Sequence, residues 1–75
     1  MLGKLRVLSG EEVCQILEMY GFVQVRQHGS HIMMQQRTED STITVPVPNY
    51  DELRVGTLRS IIRQSGLPRA LFEVN

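Results

Sequence analysis

The sequence predicts one small α+β domain in the order helix, three strands, helix, the strands forming an antiparallel meander with both helices on one face. Three observations predict it. Apolar residues recur at helical spacing near the start, at Val13, Ile16, Leu17 and Tyr20, and again near the end, at Leu58, Ile61 and Ile62. Between them lie three short runs rich in Val, Ile, Thr and Met, separated by turn residues. At 75 residues the chain has room for a single core, and a domain of that size buries roughly 60% of the surface its unfolded form exposes. One domain is therefore expected to fill residues 1–75. Aromatic residues make up only 5% and Trp is absent, so the core must rest on Val, Ile, Leu and Met.

The first helix should begin at Ser9-Gly10-Glu11-Glu12, which reads as a capping box: the Ser9 hydroxyl accepts from an early amide and Glu12 reaches back. Its apolar stripe leaves Glu11 and Glu18 on the opposite side, and Gly21 is placed to end it. Phe22 to Gln27 reads as the first strand, His28-Gly29 as a tight turn, and Ser30 to Arg37 as the second strand. The polar cluster Thr38-Glu39-Asp40-Ser41 supplies the next turn. In the third strand Ile43, Val45 and Val47 alternate with Thr42, Thr44 and Pro46, giving one clearly apolar face. Pro46 and Pro48 cannot donate ladder hydrogen bonds, so this strand should run out into a loop through Asn49, Tyr50 and Asp51. The second helix is expected from about Val55 to Gln64, stopped by Ser65-Gly66, with Pro68 through Phe72 forming a last short helical turn.

This order of elements matches the double-stranded-RNA-binding-domain architecture. Fold alone does not establish RNA binding, because small α+β layouts carry many functions. Eight basic and eight acidic residues give no net charge, so any nucleic-acid contact must be a local patch. The single cysteine, Cys14, falls within the first helix and reads as a packing residue rather than a nucleophile. One unpaired cysteine and no signal peptide fit a reducing, cytoplasmic setting. Apolar runs are too short to cross a membrane. Two histidines without a third ligand do not make a zinc set, and no metal or other cofactor is expected.

The segments Gly29-Ser30-His31, Val45-Pro46-Val47-Pro48 and Gly56-Thr57-Leu58-Arg59-Ser60-Ile61-Ile62-Arg63-Gln64-Ser65-Gly66-Leu67 resemble, in order and spacing, the signature blocks of the HicA, or YcfA-like, toxin family. Arg6-Val7-Leu8-Ser9-Gly10 is similar to the family's opening, so the resemblance covers nearly the whole chain. It implies the toxin of a type II toxin–antitoxin pair, an endoribonuclease that cleaves mRNA and is silenced by a HicB-type antitoxin protein. DNA would be met only through the antitoxin complex. The family's functional histidine falls on His31. Before Gly29 the family often carries Arg or Lys, whereas this chain has His28, and its neutral charge departs from the commonly basic family.

Alternation places Ile32 and Met34 with the apolar set of the second strand, leaving His31, Met33, Gln35 and Arg37 on the other, helix-free face. Gln24 and Arg26 from the first strand, and Thr42 and Thr44 from the third, should share that face. RNA is cut without metal when a base takes the proton of a 2′-hydroxyl, which attacks the adjacent phosphorus while an acid protonates the leaving oxygen; histidine suits either task. Arg26 would stabilise the charge of the transition state. Read without the resemblance, His31 is better explained as a surface strand histidine making one hydrogen bond, because no acid partner is identifiable. His28 reads as a tolerant loop position, with a second acid/base group as the other reading. The candidate RNA-contacting set is Lys4, Arg6, Arg26, Ser30, Arg37, Arg59 and Arg63; for Arg59 and Arg63 the solvated edge of an amphipathic helix stands as the equal reading. Two further functions stay open: a non-catalytic RNA-binding module, and an inactive subunit that only binds the antitoxin.

Overall fold

A computed structural model of the chain describes residues 3–74. Its elements are α1 (Gly10–Met19), β1 (Val23–His28), β2 (His31–Arg37), β3 (Thr42–Pro48), α2 (Val55–Ser65) and a 3₁₀ turn, Arg69–Phe72. The strands form one antiparallel sheet in the order β1-β2-β3. This is the expected α+β meander of double-stranded-RNA-binding type.

Side chains cap the start of α1, and a glycine ends α2. At α1 the Ser9 hydroxyl accepts from the Glu12 amide at 3.1 Å and the Glu12 carboxylate accepts from the Ser9 amide at 2.9 Å, the reciprocal capping box. At the end of α2, Gly66 takes the left-handed conformation at φ 72°. Ser65 is buried there, yet its hydroxyl donates to Ile62 O at 2.9 Å and accepts from the Leu67 amide at 3.1 Å, so no polar group is stranded.

The core is one cluster on the helix side of the sheet. Val13, Cys14 and Leu17 of α1 and Leu58 and Ile61 of α2 meet Ile32 and Met34 of β2 and Val45 and Val47 of β3, with Leu8, Phe22, Leu53 and Phe72 closing the margins. Ile62 and Ile16 are only partly buried against it. Tyr20 leaves the expected apolar stripe: it is the residue at which α1 stops, and it stands exposed while its carbonyl accepts from Gln36 Nε2 at 2.8 Å. Cys14 packs as expected, and burial first, then the charges of Glu18 and Glu11, push its thiol up to about 11.

β3 runs through both prolines to Pro48 and gives way to the expected loop at Asn49. The register explains this. Asn49 donates to Ser30 O at 2.6 Å, so the odd-numbered residues of β3 direct their backbone groups at β2. Pro46 and Pro48 therefore present their nitrogens to the outer edge, where no ladder bond is lost. Gly10 fixes the other contact of this strand end: its amide donates to Tyr50 O at 2.9 Å, and a β-carbon there would collide with Pro48 O.

Candidate functional site

His31 is the first residue of β2, directly after the turn that joins β1 to β2. That turn is Gly29-Ser30 rather than His28-Gly29. Gly29 has φ +55° while Ser30 has a negative φ, the pattern of a type II′ hairpin turn, which needs glycine at its first central position. Two bonds hold the turn in place. Gln27 Nε2 donates to Gly29 O at 3.2 Å, and the Asn49 amide donates to Ser30 O.

Ile32 and Met34 of β2 are buried toward the helices, so His31, Met33, Gln35 and Arg37 belong to the opposite face of the sheet. Cross-strand partners share a face. The register pairs His31 with His28 and Pro48, Met33 with Arg26 and Pro46, Gln35 with Val23 and Thr44, and Arg37 with Thr42. The open face thus holds His31, His28, Arg26 and Arg37 over a floor of Met33, Gln35, Thr42, Thr44 and the two prolines. Gln35 Nε2 donates to Thr44 Oγ1 at 3.2 Å, which confirms that these two sit on one side. His31, His28, Arg26, Ser30 and Arg37 are all solvent-exposed.

Two expectations about this face need correction. Gln24 does not belong to it: the register slips between Gln24 and Arg26, Gln24 pairs with Met34, and its side chain borders a cleft on the helix side with Glu11, Cys14, Gln15, Glu18, Gln27, Ile32 and Asn49. A bulge at Val25 causes this, since one extra residue reverses the alternation of the strand before it. His28 is not a loop residue either. It is the last residue of β1 and the direct cross-strand partner of His31.

The remaining basic residues are not gathered around His31. Lys4 and Arg59 line a notch between the N-terminal segment and the start of α2, together with Leu5, Val55 and Arg69. Arg69 was not among the sequence candidates; its Nε donates to Glu73 Oε2 at 2.7 Å and its Nη2 to Gly3 O at 3.3 Å, and the four-residue spacing to Glu73 was the available signal. Arg6 is held by its backbone, the amide donating to Phe72 O at 2.8 Å, and its charge acts on Glu12. Arg63 lies on the exposed side of α2, with Nη2 3.5 Å from Ser60 Oγ. Among the described residues no group of three His, Cys, Asp or Glu is placed to hold a metal ion, and no helix is long and apolar enough to cross a membrane.

Chemically, the open face offers two imidazoles and two guanidiniums to solvent; β2, which carries His31 and Arg37, is anchored by Ile32 and Met34 in the core, whereas β1, which carries His28 and Arg26, is an edge strand exposed along its whole length. None of the curated proteins compared with the chain matches it. A family model described as the HicA toxin of bacterial toxin–antitoxin systems matches residues 10–67. That span runs from the first residue of α1 past the end of α2 and includes the turn and His31. The chain therefore belongs to the HicA family, the toxin components of bacterial toxin–antitoxin systems, and an antitoxin is its partner.

Proposed function

We propose that this toxin is an endoribonuclease of a single domain that cleaves mRNA in the cytoplasm, with His31 as proton-transfer group, and that a HicB-type antitoxin silences it. The observation that supports the reading most is the position of His31: exposed, on the helix-free face, beside Arg26, and raised on a turn pinned at both carbonyls. An RNA strand can reach such a side chain without any rearrangement of the core.

The reaction asks little of the protein besides placement. A base removes the 2′-hydroxyl proton, the freed oxygen attacks the adjacent phosphorus, and the 5′-oxygen of the next nucleotide leaves with a proton from an acid. Histidine performs either transfer near neutrality. Arg26 is the closest cation by register, one cross-strand pair from His31, and it stabilises the charge on the phosphorane-like transition state. No cofactor is required by these steps. Ser30 and Arg37 extend the contact along the same face, whereas Lys4, Arg6, Arg59 and Arg63 would engage a backbone only where it wraps toward the helices. DNA would be contacted only through the antitoxin complex.

The test is expression of the chain under tight control, with His31→Ala in parallel, following growth and messenger-RNA integrity. The purified proteins are then assayed on RNA with a metal chelator present. Growth arrest and RNA loss that need His31 and survive the chelator support the reading; a folded wild-type protein that does neither overturns it. The balanced charge, eight basic against eight acidic residues, favours one second reading, a subunit that binds the antitoxin without cutting RNA. Antitoxin binding with no RNA cleavage would select it. A shallow dependence of RNA affinity on salt would remove the basic residues from the contact set, because each phosphate neutralised steepens that dependence.

A further inference from the structure

We infer that His28 is the second catalytic residue, exchanging the other proton of the reaction from the facing strand. The inference rests on the ribonuclease reading above and assigns a role that His31 alone leaves empty.

Cleavage by an internal 2′-hydroxyl moves two protons. As the bond from O2′ to phosphorus forms, the O2′ proton passes to a neutral imidazole; as the bond from phosphorus to O5′ breaks, O5′ takes a proton from an imidazolium. The products are a 2′,3′-cyclic phosphate and a free 5′-hydroxyl, and no oxidant or further reactant is needed. The attacking and leaving oxygens lie on opposite sides of the phosphorus, so two groups a few ångströms apart serve better than one. His28 and His31 are such a pair.

They close the two-residue turn as direct cross-strand partners on one face. Because His31 pairs with Pro48, which has no amide hydrogen, the backbone groups of His31 are turned toward His28. This makes His28–His31 the hydrogen-bonded kind of pair, with Cα atoms about 5.5 Å apart. Both side chains are exposed, and neither forms a salt bridge among the described residues. The type II′ turn between them is fixed by Gly29, Gln27 and Asn49, so their separation does not depend on a loop finding its place.

The charged surroundings suit a phosphodiester. On the open face the pair is flanked by Arg26 of β1, while β3 brings only Pro46 and Pro48 opposite this end of β2; Arg37 stands at the far end of β2. The carboxylates of α1 that approach the hairpin, Glu11 and Glu18, border the cleft on its other side with Gln24 and Gln27. A phosphate placed between the imidazoles thus meets a guanidinium on the face that carries them.

The experiment is the pH dependence of kcat/KM for the full chain on a mixed-sequence oligoribonucleotide, comparing wild type with His28→Gln, His28→Arg and His31→Gln. Wild type should give a bell-shaped profile, and His28→Gln should lose one limb of it with a fall of about 10²-fold or more. His31→Gln should lose the other limb. His28→Arg, which keeps a positive charge but transfers no proton near neutrality, should be as impaired as His28→Gln. Full activity with both limbs in either His28 variant would overturn the inference and leave the ribonuclease reading standing, whereas a wild-type chain that cuts no RNA at any pH would overturn both. Circular dichroism should show all variants folded, since both histidines are exposed.

Discussion

Strand β2 has two faces that obey different rules. Ile32 and Met34 are 5% and 0% exposed and packed among the helices, whereas His31 and Arg37, on alternate positions of the same strand, stand in solvent over a polar floor. One set of residues carries the fold and the other the proposed chemistry, and the spacing between them is a single residue. The lesson is that stability and function should come apart cleanly under mutation, even for neighbours in sequence.

Replacing His31 by Ala should have the largest effect, a loss of about 10²- to 10⁴-fold in RNA cleavage, with unfolding free energy unchanged within about 0.5 kcal/mol because the side chain is exposed. Cleavage kinetics and urea denaturation on the same protein check both halves. Met34→Ala should do the converse, costing about 2–5 kcal/mol, and any remaining folded fraction should cut RNA at the wild-type rate. A folded Met34→Ala protein with impaired turnover would show that the two faces are coupled. Ser65→Ala, at the end of α2, should cost about 1–2 kcal/mol, since it removes both hydrogen bonds of a buried hydroxyl; thermal unfolding measures it, and cleavage below the transition should not change.

The smallest effect is expected at Glu12. The Ser9 amide, then the Ser9 hydroxyl, hold the Glu12 carboxyl below its ordinary 4.5, and the charge of Arg6 adds to this. A depressed carboxyl stabilises the fold above its ordinary value and ceases to as pH falls through the depressed one. The difference in melting temperature between wild type and Glu12→Gln should therefore be present near neutrality, begin to shrink around pH 4.5, and vanish below it.

How much of this was legible in the sequence depended on the range of the interaction concerned. Capping by Ser9 and Glu12, the termination at Gly66 and the alternation of β2 are decided within a few residues, and spacing alone gave them, including the face to which His31 belongs. Gln24 was assigned to the wrong face because a bulge inserts one residue against a partner strand, and nothing local to Val25 announces it. His28 was read as part of the turn because a two-residue hairpin accepts glycine at either central position; only the backbone angles of Gly29 and Ser30 decide which. The scatter of the basic residues was hidden for another reason. Lys4 and Arg59 are far apart in the chain, and the notch they share exists only because the N-terminal segment lies alongside the 3₁₀ turn, where Leu5 bridges to Glu73.

The prolines of β3 bear on how copies of this chain can meet. Pro46 and Pro48 strip two amide donors from one border of the sheet, leaving Thr42 and Thr44 to face outward there, while the other border, β1, keeps its donors and exposes Val23 and Val25. A sheet with two receptive borders can add neighbours without end and grow into a fibre. With prolines at two of its outward positions, the β3 border is a poor template for a further strand, so growth of the sheet from copy to copy is disfavoured on that side.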